Sequence, residues 1–307
     1  MINIARAAVR SLDMAIDFGT STVRVSTDSL VRERRSAYGE RRALSGGVVV
    51  DREAAAEVLR PILYQARRGS GFPRIRALAS TPSDANSEEK TALADCITRA
   101  GASAVYISPE PLAAAIGAGI DVGSPFANLL MDIGEGVTDC TIIRSAQVFR
   151  SLAVRIGCWD LREAIQGSVF EHHAIRLTDE ETGRLLRVAG VCANAVDIVR
   201  IEGSREGKAC SFAIPVAELQ SALAPQLAAI LGNLQTLLQN LPPALSAEVI
   251  EEGIYLSGGG ALIKGMPEQV VRLTQMNVRV VADPLGAVVS GIRAMLPVAS
   301  TLRLWGA

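Results

Sequence analysis

Along this chain the spacing of apolar residues switches repeatedly between every second position and every third or fourth, and that switching predicts an α/β protein. Residues 14–17 and 22–25 read as two short strands around a Gly-Thr-Ser turn. A helix is expected over 53–67, where Ala56, Leu59, Leu63 and Ala66 share one side. Residues 75–79 read as a strand closed by Ser80-Thr-Pro-Ser83. A second helix is expected over 87–100, with a cap ahead of Glu88 and Glu89 and a stop at Gly101. A short strand over 105–107 then leads through Pro109-Glu110-Pro111 into an alanine-rich helix.

A second cycle opens with a buried-type strand over 129–132, a glycine turn and a strand over 140–143. Residues 166–215 are more polar and irregular, as in a small appended subdomain. A long amphipathic helix follows over 216–239, ended by Leu241-Pro242-Pro243. A strand over 254–256 then enters Gly258-Gly259-Gly260. No solenoid-type repeat is present. What recurs is strand, acidic residue, glycine turn, strand, first around Asp17 and again around Asp132, 115 residues later. The recurrence predicts two similarly built lobes, each presenting one turn to a shared cleft. The expected first lobe is 1–122 with 285–307, and the second is 123–284.

With 307 residues the chain suits one bilobal protein or two ordinary domains, and 49% hydrophobic content supplies ample core. Thirty-one basic against thirty-two acidic residues give a formal net charge of -1, which makes no electrostatic case for nucleic acid. Cys96, Cys140, Cys158, Cys192 and Cys210 are odd in number and lack CxxC spacing, the usage of a reduced, cytoplasmic protein with buried thiols. His172 and His173 stand without partners at metal-ligand spacing and read as surface residues. No apolar run approaches the ~18 residues of a membrane span. Residues 1–10 do not read as a secretory signal, because Arg6 and Arg10 interrupt the apolar positions. They suit a short amphipathic helix on an anionic membrane surface, or equally a frayed end or a helix packed on its own domain.

The chemistry concentrates in the glycine turns. A turn of glycine and hydroxyl residues can aim several backbone N–H groups at phosphate oxygens, and glycine allows the close approach. Gly19, Thr20, Ser21, Gly134, Gly136 and Thr138 suit that contact. A carboxylate just before such a turn repels phosphate directly but can hold Mg²⁺ through water, a role open to Asp17 and Asp132. Either turn alone is a weak signal. The pair, together with Gly258, Gly259 and Gly260 after a strand, is far more specific.

That set resembles the actin, sugar-kinase and heat-shock-chaperone ATPase superfamily, and within it the bacterial actin-like MreB family. The matching segments are Asp17-Phe-Gly-Thr-Ser-Thr22, Pro109-Glu-Pro-Leu-Ala-Ala-Ala-Ile-Gly-Ala-Gly119, Asp132-Ile-Gly-Glu-Gly-Val-Thr-Asp139, Gly253-Ile-Tyr-Leu-Ser-Gly-Gly-Gly-Ala-Leu262 and Asp283-Pro-Leu285, in family order over nearly the whole chain. The resemblance implies a two-lobed actin-like fold that closes on ATP or ADP with Mg²⁺. It places Glu110 where the family polarises the attacking water, although a helix cap is the plainer reading of that residue. It implies self-assembly into cytoskeletal filaments for cell shape or intracellular organisation, with morphogenesis proteins or a fuller-length homologue as further partners. The setting implied is the cytoplasm, peripherally at the inner face of the membrane if residues 1–10 bind there.

Four departures from the family pattern qualify this. In the second loop Glu135 replaces a glycine and Val137 a threonine, so hydrolysis is expected to be slow at most. A Gly-Gly-Asp element appears as Gly157-Cys158-Trp159, with Asp160 one position late. The helix that presents Glu and Lys to ribose is matched only loosely by Glu181 and Arg184, which also read as solvent-facing. Finally, only residues 26–41 stand where the family inserts a small outer subdomain, which is expected to be missing or reduced to a loop. Those changes leave room for an alternative, a non-polymerising ATP-binding regulator or chaperone-like module; a small-molecule kinase is the third reading.

Overall fold

The computed structural model describes residues 11–27, 31–71, 74–191 and 197–301. Residues 1–10 and Cys192 lie outside them. The chain forms two compact units, Met1–Thr81 with Ala85–Gly117 and Val288–Ala307, and Pro82–Asp84 with Ala118–Ala287, taken over their described residues.

In unit 1, β1 (Ser11–Phe18), β2 (Thr22–Ser26) and β3 (Val31–Arg35) form an antiparallel meander. Two-residue hairpins follow, β4 (Ala37–Tyr38) with β5 (Arg41–Arg42) and β6 (Leu44–Ser45) with β7 (Val48–Val49). Among the described residues of 26–41, an edge strand and a small hairpin stand where the outer subdomain was expected to be missing or reduced to a loop, and all of β3 is exposed. Then come α1 (Arg52–Ser70), β8 (Arg74–Thr81), α2 (Ser87–Arg99), β9 (Ala104–Pro109) and α3 (Glu110–Gly117). Strands β8 and β9 join parallel to β1, giving the order β3-β2-β1-β8-β9.

The period of two sorts this sheet. Met14, Ile16 and Phe18, with Val23 and Val25, pack with Leu59, Leu63 and Ile97 in one core. Asp13 and Asp17 alternate with them, and Asp13 takes a two-point ion pair from Arg76 on β8, both contacts at 2.6 Å. The cap of α2 is Asn86, which exchanges hydrogen bonds with Glu89 in a capping box.

Unit 2 starts with β10 (Asn128–Ile133), β11 (Thr138–Arg144) and β12 (Gln147–Val154), followed by α4 (Cys158–His173) and α5 (Asp179–Ala189). A hairpin of β13 (Ile198–Arg205) and β14 (Lys208–Pro215) precedes α6 (Val216–Gln239) and α7 (Pro243–Glu252). The unit closes with β15 (Ile254–Ser257), a 3-10 turn at Gly259–Leu262, α8 (Met266–Thr274) and β16 (Val278–Val280). Its sheet runs β12-β11-β10-β15-β16, again an antiparallel meander with two parallel strands added. The recurring sequence unit thus becomes a recurring sheet topology. The chain ends its described part in α9 (Ala287–Thr301).

The described residues of the 166–215 stretch are largely regular: the rest of α4, α5 and the β13–β14 hairpin lie in it. Their Val169, Leu185, Ile201 and Ile214 belong to the same buried cluster as Leu129, Leu219 and Leu256. No helix of the described residues is long and apolar enough to cross a membrane.

Candidate functional site

In unit 1 the Gly-Thr-Ser turn links β1 to β2 and is pinned from outside. Gly19 N–H donates to the Thr22 carbonyl at 3.1 Å, and the Gly19 carbonyl accepts the Ser36 hydroxyl at 2.6 Å. Thr20 Oγ1 accepts Gly47 N–H at 2.9 Å, and Ser36 N–H donates to the Ser21 carbonyl at 2.8 Å. The 36–47 stretch therefore holds this turn in shape. Asp17, at the end of β1, is buried, with Arg24 Nη1 3.5 Å from its Oδ2. Burial raises its carboxyl to about 6, against the opposing pull of Arg24. Glu110 is half-buried in the first turn of α3, where its charge also suits the helix dipole.

In unit 2 the second turn joins β10 to β11, closed by Gly134 N–H donating to the Val137 carbonyl at 2.9 Å. Its outer side is met by the start of α4: Cys158 N–H donates to the Gly134 carbonyl at 3.0 Å and Trp159 N–H to the Glu135 carbonyl at 2.7 Å. A Cβ on Gly157 would lie 2.6 Å from both of those carbonyl oxygens, so only glycine lets the helix approach this closely. Asp160 does not replace a lost site carboxylate. It accepts Gly157 N–H at 2.8 Å and caps α4. The Glu135 carboxylate is turned onto Arg162 of α4, whose guanidinium also lies 5.7 Å from the Trp159 ring. The charge that Glu135 brings into a phosphate-type turn is thus neutralised within the chain.

Three expected contact residues are otherwise engaged. Thr138 is fully buried and its hydroxyl donates to the Ile156 carbonyl at 2.8 Å, so it braces β11. Arg184 donates to Glu181 at 2.7 and 2.6 Å and to the Arg200 carbonyl at 2.6 Å, while Glu181 also accepts Glu202 N–H at 2.9 Å. These two residues tie α5 to β13 and pair with each other.

The floor of unit 2 is built by the third glycine run. A Cβ on Gly258, whose φ is +78°, would come 2.3 Å from the Ile133 carbonyl oxygen, and one on Gly260 would come 2.1 Å from Ile133 Cγ2. Gly259 meets only ordinary contacts, the nearest at 3.6 Å from Leu285. The ends of β10 and β15 therefore touch backbone to backbone beside Asp132.

Asp132 and Asp139 are buried and directly opposite across β10 and β11. Ser83 donates to Asp139 through its hydroxyl and, at 3.2 Å, its backbone N–H. Burial, with a smaller push from Asp132, raises the Asp139 carboxyl to about 7 even so. Sequence reasoning did not single out Asp139 or Ser83; the Asp132–Asp139 spacing across a hairpin turn was the available signal. A divalent cation near this pair would relieve its repulsion, and in that sense the residues fit Mg²⁺. Among the described residues no three His, Cys, Asp or Glu side chains gather to hold a metal alone. Water and ligand oxygens would complete its shell, as Mg²⁺ prefers.

Of the cysteines, Cys96, Cys140 and Cys158 are buried and Cys210 is only partly so. Burial pushes Cys96 up to about 11 and Cys158 up to about 12, which keeps both as thiols. His173 is not a free surface residue: its Nε2 bonds Glu218 at 2.8 Å and its ring packs on Phe212.

The model of the MreB/Mbl protein family matches residues 39–303, beginning after the 17–22 turn. The cell shape-determining protein MreB of Escherichia coli (strain K12) is 30% identical over 255 residues, 81% of this chain and 74% of that protein. The cell shape-determining protein Mbl of Bacillus subtilis (strain 168) is 27% identical over 259 residues, 83% of this chain and 78% of that protein. Among solved structures, MreB5 of Spiroplasma citri bound to ADP superposes with a TM-score of 0.85 at 24% identity, covering 96% of this chain and 98% of that one. A MamK double helical filament superposes at 0.80 with 18% identity, covering 93% and 98%. Those two likenesses show the actin-like fold. With the family match and the sequence relatives beside them, the chain belongs to the MreB/Mbl family.

Proposed function

We propose that this protein is a bacterial actin that binds ATP or ADP with Mg²⁺ and assembles with its own copies into filaments serving cell shape or intracellular organisation. The observation that carries the reading is the packing of Gly258 and Gly260 on Ile133. It lays a side-chain-free floor beside the carboxylate of Asp132, the surface a phosphate-bearing ligand with a hydrated cation requires. Gly19, Thr20 and Ser21 in unit 1, and Gly134, Gly136 and Gly259 in unit 2, are the further residues assigned to the nucleotide. The relatives support the reading: two are cell shape-determining proteins, solved MreB5 structures carry ADP and AMPPNP, and MamK forms a double helical filament.

When bound, Mg²⁺ supplies charge neutralisation for the phosphates, with Asp132 holding it through water. Glu110 orients the attacking water and accepts its proton. Val137 has no hydroxyl to share that task, so the protein is a weak ATPase at most. Cytoplasmic location, membrane contact through residues 1–10, and assembly with morphogenesis proteins or a fuller-length homologue complete the proposal.

Pelleting and negative-stain microscopy with ATP, with ADP and without nucleotide test the core of it. Filaments that depend on nucleotide are expected. Protein that stays monomeric at high concentration in all three conditions would overturn assembly and leave the non-polymerising regulator.

A further inference from the structure

Three charged side chains stand in one row across the unit 1 sheet. Asp17 on β1 is the registered partner of Arg24 on β2, and Arg24 is the registered partner of Glu33 on β3. Arg24 Nη1 lies 3.5 Å from Asp17 Oδ2, and its Nε donates to Glu33 Oε2 at 3.2 Å. The side chains of Asp17, Arg24 and Glu33 are 9%, 20% and 58% exposed. One edge of the guanidinium therefore faces a buried carboxylate, and the other is anchored by a carboxylate in solvent. Strand register sets this row, so it does not depend on two long side chains happening to meet.

Asp17 is the residue for which a hydrated cation was expected. A buried carboxylate needs a compensating charge, and this one has it from within the chain. A hydrated Mg²⁺ at the same carboxylate would have to compete with a cation that costs nothing to recruit. The expected metal role and the observed geometry thus disagree at Asp17, while the Asp132–Asp139 pair, two carboxylates facing each other across β10 and β11, retains its fit.

We propose that Arg24 is a built-in counter-ion that takes the place of the hydrated cation at Asp17, leaving Asp132 as the carboxylate through which Mg²⁺ supports the binding of nucleoside triphosphate. The inference rests on the nucleotide-binding reading above and goes beyond it by naming the residue that sets the cation requirement.

The test is calorimetric titration of ATP into the full chain, in Mg²⁺ and in EDTA, for the wild type, Arg24→Leu and Arg24→Lys. On moving to EDTA, R24L is expected to lose at least about tenfold more affinity than the wild type, the scale of one charge-assisted contact. R24K, which keeps the charge, is expected to fall between them. Equal cation dependence in the wild type and R24L would overturn the proposal while leaving nucleotide binding intact. If R24L does not fold, Arg24→Gln, which removes the charge and keeps a hydrogen-bonding group, decides in its place: cation dependence equal to that of the wild type overturns the proposal. Absence of ATP binding in either buffer would overturn the nucleotide-binding reading itself, and this inference with it.

Discussion

Arg162, in the second turn of α4, closes on Glu135 in the turn between β10 and β11, its Nη1 3.3 Å from Oε2. The two residues are 27 positions apart, and their partnership decides whether a carboxylate can be tolerated in a phosphate-type turn. In the proposed nucleotide site, removing the guanidinium would leave that carboxylate beside the phosphates. Arg162→Ala is expected to weaken ATP binding by about tenfold, and Glu135→Gln in the same chain to restore most of it. Calorimetric titration of the single and double variants checks this; equal losses in both would remove Glu135 from the account.

The glycines divide into those that backbone contact demands and those it does not. Gly157→Ala would press a methyl against two carbonyl oxygens at 2.6 Å, and Gly260→Ala would press one against Ile133 at 2.1 Å. Each is expected to cost about 1–3 kcal/mol. Gly259→Ala, which meets only contacts of 3.6 Å and longer, is expected to stay within about 0.5 kcal/mol. Thermal melts of the three variants rank them; a Gly259 variant as unstable as the other two would contradict the packing described.

The buried acids impose a pH dependence whose sign is set by burial. Asp139 is raised from 3.8 to about 7 and Asp17 from 3.8 to about 6, so between those values the folded chain holds more protons than the unfolded one. Stability of the nucleotide-free protein is therefore expected to fall as pH rises from about 4 to about 7 and to level off above. Asp139→Asn should flatten the part of the slope above about pH 6. Melting temperatures across pH 5–8 in the absence of divalent cations measure it, and a stability that climbs with pH in that window would refute the assignment.

The proposed hydrolysis gives one role to Glu110 and leaves another unfilled at Val137. Val137 is 5% exposed and offers its place in the second turn no hydroxyl. Val137→Thr is expected to raise phosphate release, and Glu110→Ala in that background to lower it by about 10²-fold with ATP affinity unchanged. If Glu110→Ala leaves phosphate release untouched, its role is that of a residue at the start of α3 and nothing more.

Much of this architecture was legible beforehand because it is written in short-range periodicities. The β1–β2 and β10–β11 hairpins, helix α6 and the three glycine runs each depend on residues within a few positions of one another. Residues 166–215 misled because their polar content hid regular elements whose apolar residues face a core supplied by distant segments. Within residues 26–41 the reduction of the outer subdomain was legible from length, while β3 was not, because an exposed edge strand leaves no buried alternation to detect.

The sequence by itself determined the class of fold, the order of its elements and the repeated acidic-glycine turn, since each follows from local conformational preference and spacing. Only the tertiary structure decided which charges meet. Arg24 reaches Asp17 through strand register, Arg162 reaches Glu135 because Gly157 lets α4 close on the turn, and Ser83 reaches Asp139 across 56 positions. Thr138 bonds the Ile156 carbonyl and Glu181 pairs with Arg184, partners that sequence spacing did not foretell. The reason is physical: a side chain's partner is chosen by whatever packing brings within about 3 Å, and sequence spacing carries no record of that distance.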